Sequence, residues 1–128
     1  MVLSVSHMHP HRHLHSYVHN GRIGVLLEVG CATDFTVRTE EFQALVRDTA
    51  LHIAALAPPG LEELLAQPFV KDTTKTIADL YRAASSTLDE QIAVTRFIRW
   101  STQDDDAPPG STPPRTPAVI LSFRRSGS

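Results

Sequence analysis

A chain of 128 residues, 41% hydrophobic and 20% charged, fits a single globular domain, and a net charge of −2 gives no electrostatic footprint for nucleic acid or an anionic membrane. The one cysteine, Cys31, excludes an internal disulfide and suits a reducing compartment, with a bacterial-type cytoplasm as the default. No apolar run approaches the roughly 18 residues of a membrane helix, and Met1 to Val5 is too short for a secretory signal.

Residues 1–14 read as a disordered, His-rich extension outside the core. His7, His9, His11 and His13, with His15 continuing the alternation, share one side of an extended chain. Neutral imidazoles bind Zn, Ni or Cu, so the tract is a candidate metal site. No cysteine or paired carboxylate accompanies it, and Pro10 interrupts it.

Folded structure is expected from about residue 15 or 16. Asn20-Gly21 between two extended runs is the signal for a two-residue type I′ hairpin. In the second run Ile23, Val25, Leu27 and Val29 share one face, and Leu26 makes the other face partly apolar. Gly24 in mid-strand suggests close approach of another group. Thr39, followed by Glu40 and Glu41, opens a helix whose stripe is Phe42, Leu45, Val46, Ala50, Ile53 and Ala54, and Pro58-Pro59-Gly60 ends it. Leu51 projects away from that stripe and His52 lies at its edge. Leu61 to Ala66 is a short apolar-acidic segment, and Pro68 makes Gln67 to Asp72 extended or turn-like. Thr76 and Asp79 have capping-box spacing before a second amphipathic helix through Leu88. Ile92 to Trp100 reads as a strand. From Thr102 the composition turns to Asp104-Asp105-Asp106 and repeated proline, a disordered tail over residues 102–128. The expected fold is α+β: a small antiparallel sheet of about three strands packed against two main helices, over residues 15–101.

Between the second strand and the first helix lies Cys31-Ala32-Thr33-Asp34-Phe35-Thr36-Val37-Arg38. On local chemistry it has two readings. One is a connecting turn in which Thr33 and Asp34 satisfy backbone N–H groups and Phe35 folds onto the core. The other is a functional loop at a strand-to-helix junction. Leu51 beside His52 is similarly either incidental or a small contact surface.

The run Ser16-Tyr17-Val18-His19-Asn20-Gly21-Arg22-Ile23-Gly24-Val25-Leu26-Leu27-Glu28-Val29 resembles the dimerisation (core) region of translation elongation factor Ts. So do Cys31-Ala32-Thr33-Asp34-Phe35, Arg38, Glu41-Phe42, Leu51-His52-Ile53-Ala54, Gln67-Pro68-Phe69-Val70-Lys71-Asp72 and Lys75-Thr76-Ile77-Ala78-Asp79-Leu80, in family order over residues 15–101. The resemblance implies a nucleotide exchange factor for the GTPase elongation factor Tu, without a bond-making active site and without a cofactor. It implies that Phe35, within Thr33-Asp34-Phe35, wedges between helices of the GTPase, that Asp34 acts near its magnesium site, and that Leu51 and His52 touch the partner. Neither a membrane nor nucleic acid is implied as a direct partner.

Four departures from the family pattern bear on this. The small helical module that usually precedes residue 15 is not matched, and Pro59-Gly60 stands where a further helical segment is usual. Gly30, Ala32, Thr36 and Val37 alter the motif's flanks, and Asp89 replaces a glycine that closes the second helix. Weaker docking and reduced exchange are expected, and apolar faces left by the deletion favour a homodimer. The competing expectations are a non-exchanging fragment that only binds or dimerises, and a metal-binding protein that uses the histidine tract.

Overall fold

The computed structural model describes residues 9–103. His7 and most of the expected tail therefore lie outside the described residues. The first strand, β1 (His11–His19), begins earlier than Ser16 and takes in His11, His13 and His15. It pairs antiparallel with β2 (Ile23–Cys31). Asn20 and Gly21 both have positive φ, 54° and 68°, and the Arg22 N–H closes the turn on the His19 carbonyl at 2.9 Å. Those are the torsions of the expected turn. The ladder, however, pairs His19 with Ile23, so the connection is three residues and Arg22 stands outside the pairing. Its carbonyl accepts the Thr102 N–H at 2.8 Å instead.

That extra residue decides which face each β1 side chain takes. With His13 opposite Val29, His15 opposite Leu27 and Tyr17 opposite Val25, the imidazoles and the tyrosine turn toward the core. Leu14 and Val18 turn outward and are exposed. His13 meets Phe42 edge-on, with ring centroids 5.6 Å apart. Gly24 has open space where a Cβ would stand, contrary to the close approach its position suggested. Gly30 is the glycine with a close neighbour: His9 sits 2.5 Å from the position of its absent Cβ.

The last strand, β5 (Ala93–Ser101), pairs antiparallel with β2, which makes β2 the centre of a three-stranded sheet ordered β1-β2-β5. The register shifts between Glu28 and Val29, leaving Thr95 as the extra residue of a bulge. The Thr95 hydroxyl lies 2.6 Å from the Glu28 carboxylate, which also faces Arg12 and Arg96. The hydroxyl and both guanidinium groups hold that carboxyl below its usual range despite its burial.

The two main helices pack on the other face. A single turn, α1 (Asp34–Val37), precedes α2 (Glu40–Leu56), the longest helix. Thr39 caps α2, accepting the Phe42 N–H at 3.1 Å. Phe42, Val46, Ala50 and Ile53 are fully buried against Leu27 and Val29. Burial of side chains of this size contributes about 1.5–3 kcal/mol for each large one. Arg99 donates to the Ala54 carbonyl from Nε and Nη2 (3.2 and 3.1 Å), placing a cation at the helix C-terminus. Leu61–Ala66 forms a short helix, α3, and Pro68–Phe69 (β3) and Asp72–Thr76 (β4) form a separate small hairpin. The capping box at Thr76 and Asp79 starts α4 (Ile77–Leu88), the second main helix. Among the described residues no helix is long and apolar enough to cross a membrane.

Candidate partner-docking site

β2 ends in the core at Cys31, which is fully buried; burial, the nearby Glu90 and Asp34 carboxylates outweigh a hydrogen bond to Thr33 and raise its thiol. This is a packing cysteine rather than a nucleophile. One residue later the chain surfaces. Thr33 is the N-cap of α1, its hydroxyl accepting the Thr36 N–H at 3.3 Å. Thr36 is the buried residue of the turn, and the Val37 carbonyl accepts from Gln43 Nε2 at 2.6 Å. With Thr36 turned in, Asp34 and Phe35 are turned out. Phe35 is 71% exposed, so the connecting turn with an inward phenylalanine is not the arrangement found. Asp34 pairs with Arg38 at 2.5 Å, both on the surface.

The residue that fixes this turn from outside is Glu90, which sequence reasoning missed. Glu90 Oε1 accepts the N–H groups of Ala32 (3.0 Å) and Thr33 (3.3 Å), and Oε2 accepts the Thr33 hydroxyl at 2.5 Å. Partial burial pushes the Glu90 carboxyl up, but the hydroxyls of Thr33 and Thr36 and the two amides hold it below its usual range. Glu90 reaches the turn because α4 ends in a left-handed residue, Asp89 (φ 57°, ψ 44°), and the Glu90 N–H bonds the Ser85 carbonyl at 3.0 Å. One signal was available in the sequence. An acid just past a helix C-terminus opposes the helix dipole and needs another partner.

Leu51 and His52 do not join Thr33, Asp34 and Phe35 in one constellation. They lie twelve or more residues beyond the Thr39 cap, about 18 Å along the helix at about 1.5 Å per residue. Leu51 is half-buried. His52, expected to touch a partner, is fully buried, because its ring is used internally. Nε2 lies 2.8 Å from Gln67 Oε1, and Nδ1 accepts the Val70 N–H at 3.1 Å. These contacts tie α2 to the β3–β4 hairpin. Burial lowers the His52 pKa, against the opposing effect of Gln67.

The described part of the histidine tract shows no gathering of ligands. No group of three or more His, Cys, Asp or Glu side chains able to hold a metal occurs among the described residues. His9 is buried with both ring nitrogens lacking a hydrogen-bond partner, His11 is exposed, and His13 packs on Phe42.

The fold and this site define a class: a two-layer α+β domain that holds an exposed aromatic on a clamped turn at the end of its central strand, an arrangement suited to docking. The comparisons place the chain more narrowly. It is similar to elongation factor Ts of Coprothermobacter proteolyticus (34% identical over 134 residues; 69% of this chain and 68% of that protein). It is also similar to elongation factor Ts of Rubrobacter xylanophilus (33% over 133 residues; 68% of each) and of Trichlorobacter lovleyi (38% over 82 residues; 64% of this chain, 26% of that protein). No family model matches the chain. The chain belongs to the elongation factor Ts family, and its role is that of a translation elongation factor. The first two alignments are longer than the chain while covering about two thirds of it, so they cross residues of those relatives that have no counterpart here.

Proposed function

We propose that this protein binds the GTPase elongation factor Tu in the cytoplasm and promotes release of GDP. The observation that carries the reading is the large exposure of Phe35 on a turn whose backbone is bonded on both sides. Phe35 is the wedge, Thr33 shapes the turn, and Asp34 is the acid offered toward the magnesium site. Asp34 reaches that site by leaving Arg38, an exchange of surface ion pairs that costs little. Leu51 adds a lateral contact, and His52 acts indirectly by holding the β3–β4 hairpin beside it.

The physics is linkage. A factor that binds the nucleotide-free GTPase more tightly than the GDP-bound form must weaken GDP binding by the same factor. Burial of one phenylalanine contributes about 1.5–3 kcal/mol, and if that contact forms only in the distorted state it shifts the equilibrium about 10- to 150-fold. No bond is made or broken. The test is release of a fluorescent GDP analogue from elongation factor Tu. Wild type accelerates release, and Phe35→Ala loses most of that acceleration. No acceleration by wild type at high concentration removes exchange activity and leaves a fragment that only binds or dimerises.

A second reading, self-association, has its own observation. Leu14, Val18, Leu26, Ile98 and Trp100 are all exposed on the open face of the sheet, opposite the helices. Of the charged groups on that face, Arg12 and Arg96 both pair with Glu28. What remains is an apolar strip that a second copy covers by a two-fold contact.

A further inference from the structure

We propose that Glu90 is the positioning residue of the docking turn: its carboxylate, delivered from just past the C-terminal end of α4, sets the conformation in which Phe35 is presented. This rests on the reading of Phe35 as the wedge. The need for such a residue follows from the turn itself. α1 has four residues, and a single helical turn is unfavourable to nucleate by itself. Phe35 gains no packing that would hold it, since it is exposed. Gln43 secures the turn's end through the Val37 carbonyl. Its beginning, where the chain leaves β2, is held by Glu90 through the amides of Ala32 and Thr33 and the Thr33 hydroxyl.

Glu90 is itself fixed. Its N–H is bonded to Ser85, and the Ser85 hydroxyl accepts the Ile92 N–H at 3.1 Å, so the carboxylate projects from a closed turn. A rigid, correctly shaped turn spares the ordering cost of binding. Loss of the carboxylate lets the Thr33–Phe35 backbone leave this conformation and reduces docking while the core stays intact. Glu90 touches neither nucleotide nor GTPase in this account; it acts through Phe35.

The experiment measures release of a fluorescent GDP analogue from elongation factor Tu by wild type, Glu90→Ala, Glu90→Gln, Phe35→Ala and the Glu90→Ala/Phe35→Ala double variant. Glu90→Ala is expected to lower the rate about tenfold at subsaturating factor. Glu90→Gln, which keeps Oε1 as an acceptor for both amides, recovers part of the loss. The double variant matches Phe35→Ala alone, because a residue acting through the wedge has nothing left to act on. Amide hydrogen exchange supplies a second readout: Ala32 and Thr33 lose protection in Glu90→Ala while β2 and α2 keep theirs. Wild-type release rates in Glu90→Ala, beside a loss in Phe35→Ala, overturn the positioning role and leave the docking reading standing. Strictly additive losses with falling protection throughout the core overturn it as well, as a general stability effect. Unchanged release in Phe35→Ala overturns both, and is recognised by that variant alone.

Discussion

His52 Nδ1 accepts the Val70 N–H at 3.1 Å, which fixes the ring as a neutral imidazole with its proton on Nε2 facing Gln67. Burial lowers the folded-state pKa, so below about pH 6.5 the unfolded chain binds the proton that the folded chain resists. The stability His52 contributes is full above pH 6.5 and is lost as pH falls from there through the folded value. His15, lowered by burial and by His13 and Arg47, acts in the same direction. Glu28 and Glu90 have lowered pKa values and act in the window below 4.5. Urea unfolding at about pH 7.5 and about pH 5.5 is therefore expected to show a lower midpoint at the acidic value. His52→Gln narrows the gap, and His52→Ala costs about 2–4 kcal/mol by opening a cavity and orphaning the Val70 N–H.

Two helices end on non-glycine residues in the left-handed region, Ala57 (φ 51°) and Asp89 (φ 57°). The penalty is about 1–2 kcal/mol for an ordinary L-residue and less for Asp, whose short polar side chain bonds locally. Ala57→Gly and Asp89→Gly are both expected to stabilise, Ala57→Gly by about 1 kcal/mol and Asp89→Gly by about half that. Thermal unfolding measures the order: the Ala57 variant melts higher. Since Asp89→Gly keeps the turn that delivers Glu90, it leaves GDP release unchanged.

The apolar strip on the open sheet face predicts a concentration-dependent dimer. Leu26→Lys and Ile98→Lys place charge at adjacent paired positions in the middle of that strip. Sedimentation equilibrium is expected to show dimer for wild type at about 100 μM and monomer for the double variant, since a buried unpaired ammonium is costly. Both side chains are partly exposed but face each other across the strand pair, so like-charge repulsion is expected to lower monomer stability by about 1 kcal/mol, which leaves the monomer folded. Wild type that remains monomeric at that concentration ends the dimer reading.

The features that were legible in the sequence were local ones. The Thr39 cap, the Phe42–Ala54 stripe, the Thr76–Asp79 capping box and the Ile92–Trp100 strand are each written in contiguous residues, and each is found. The helix-closing position of Asp89, which the resemblance implied, is also found. The features that were not legible depend on partners far along the chain. His11 and His13 read as polar extension because nothing local says that the strand starts at His11 or that an imidazole lies against Phe42. The face taken by Leu14 and Val18 turns on one residue of loop length, and Asn20-Gly21 signals a turn without fixing where pairing resumes. His52 sits at the edge of its stripe by periodicity, yet Gln67 and Val70 close over it. At the candidate docking site, the exposure of Phe35 was one of two open readings, and the Glu90 clamp joins residues 57 positions apart.

That separation has a consequence for how the proposed docking motif can be moved. A synthetic peptide containing Thr33-Asp34-Phe35 carries the aromatic and the acid but lacks the carboxylate that shapes them. The motif is therefore a conformational epitope rather than a cassette. Grafting it onto another strand end requires an acid brought in from a second element, at the height of the two amides that follow the strand.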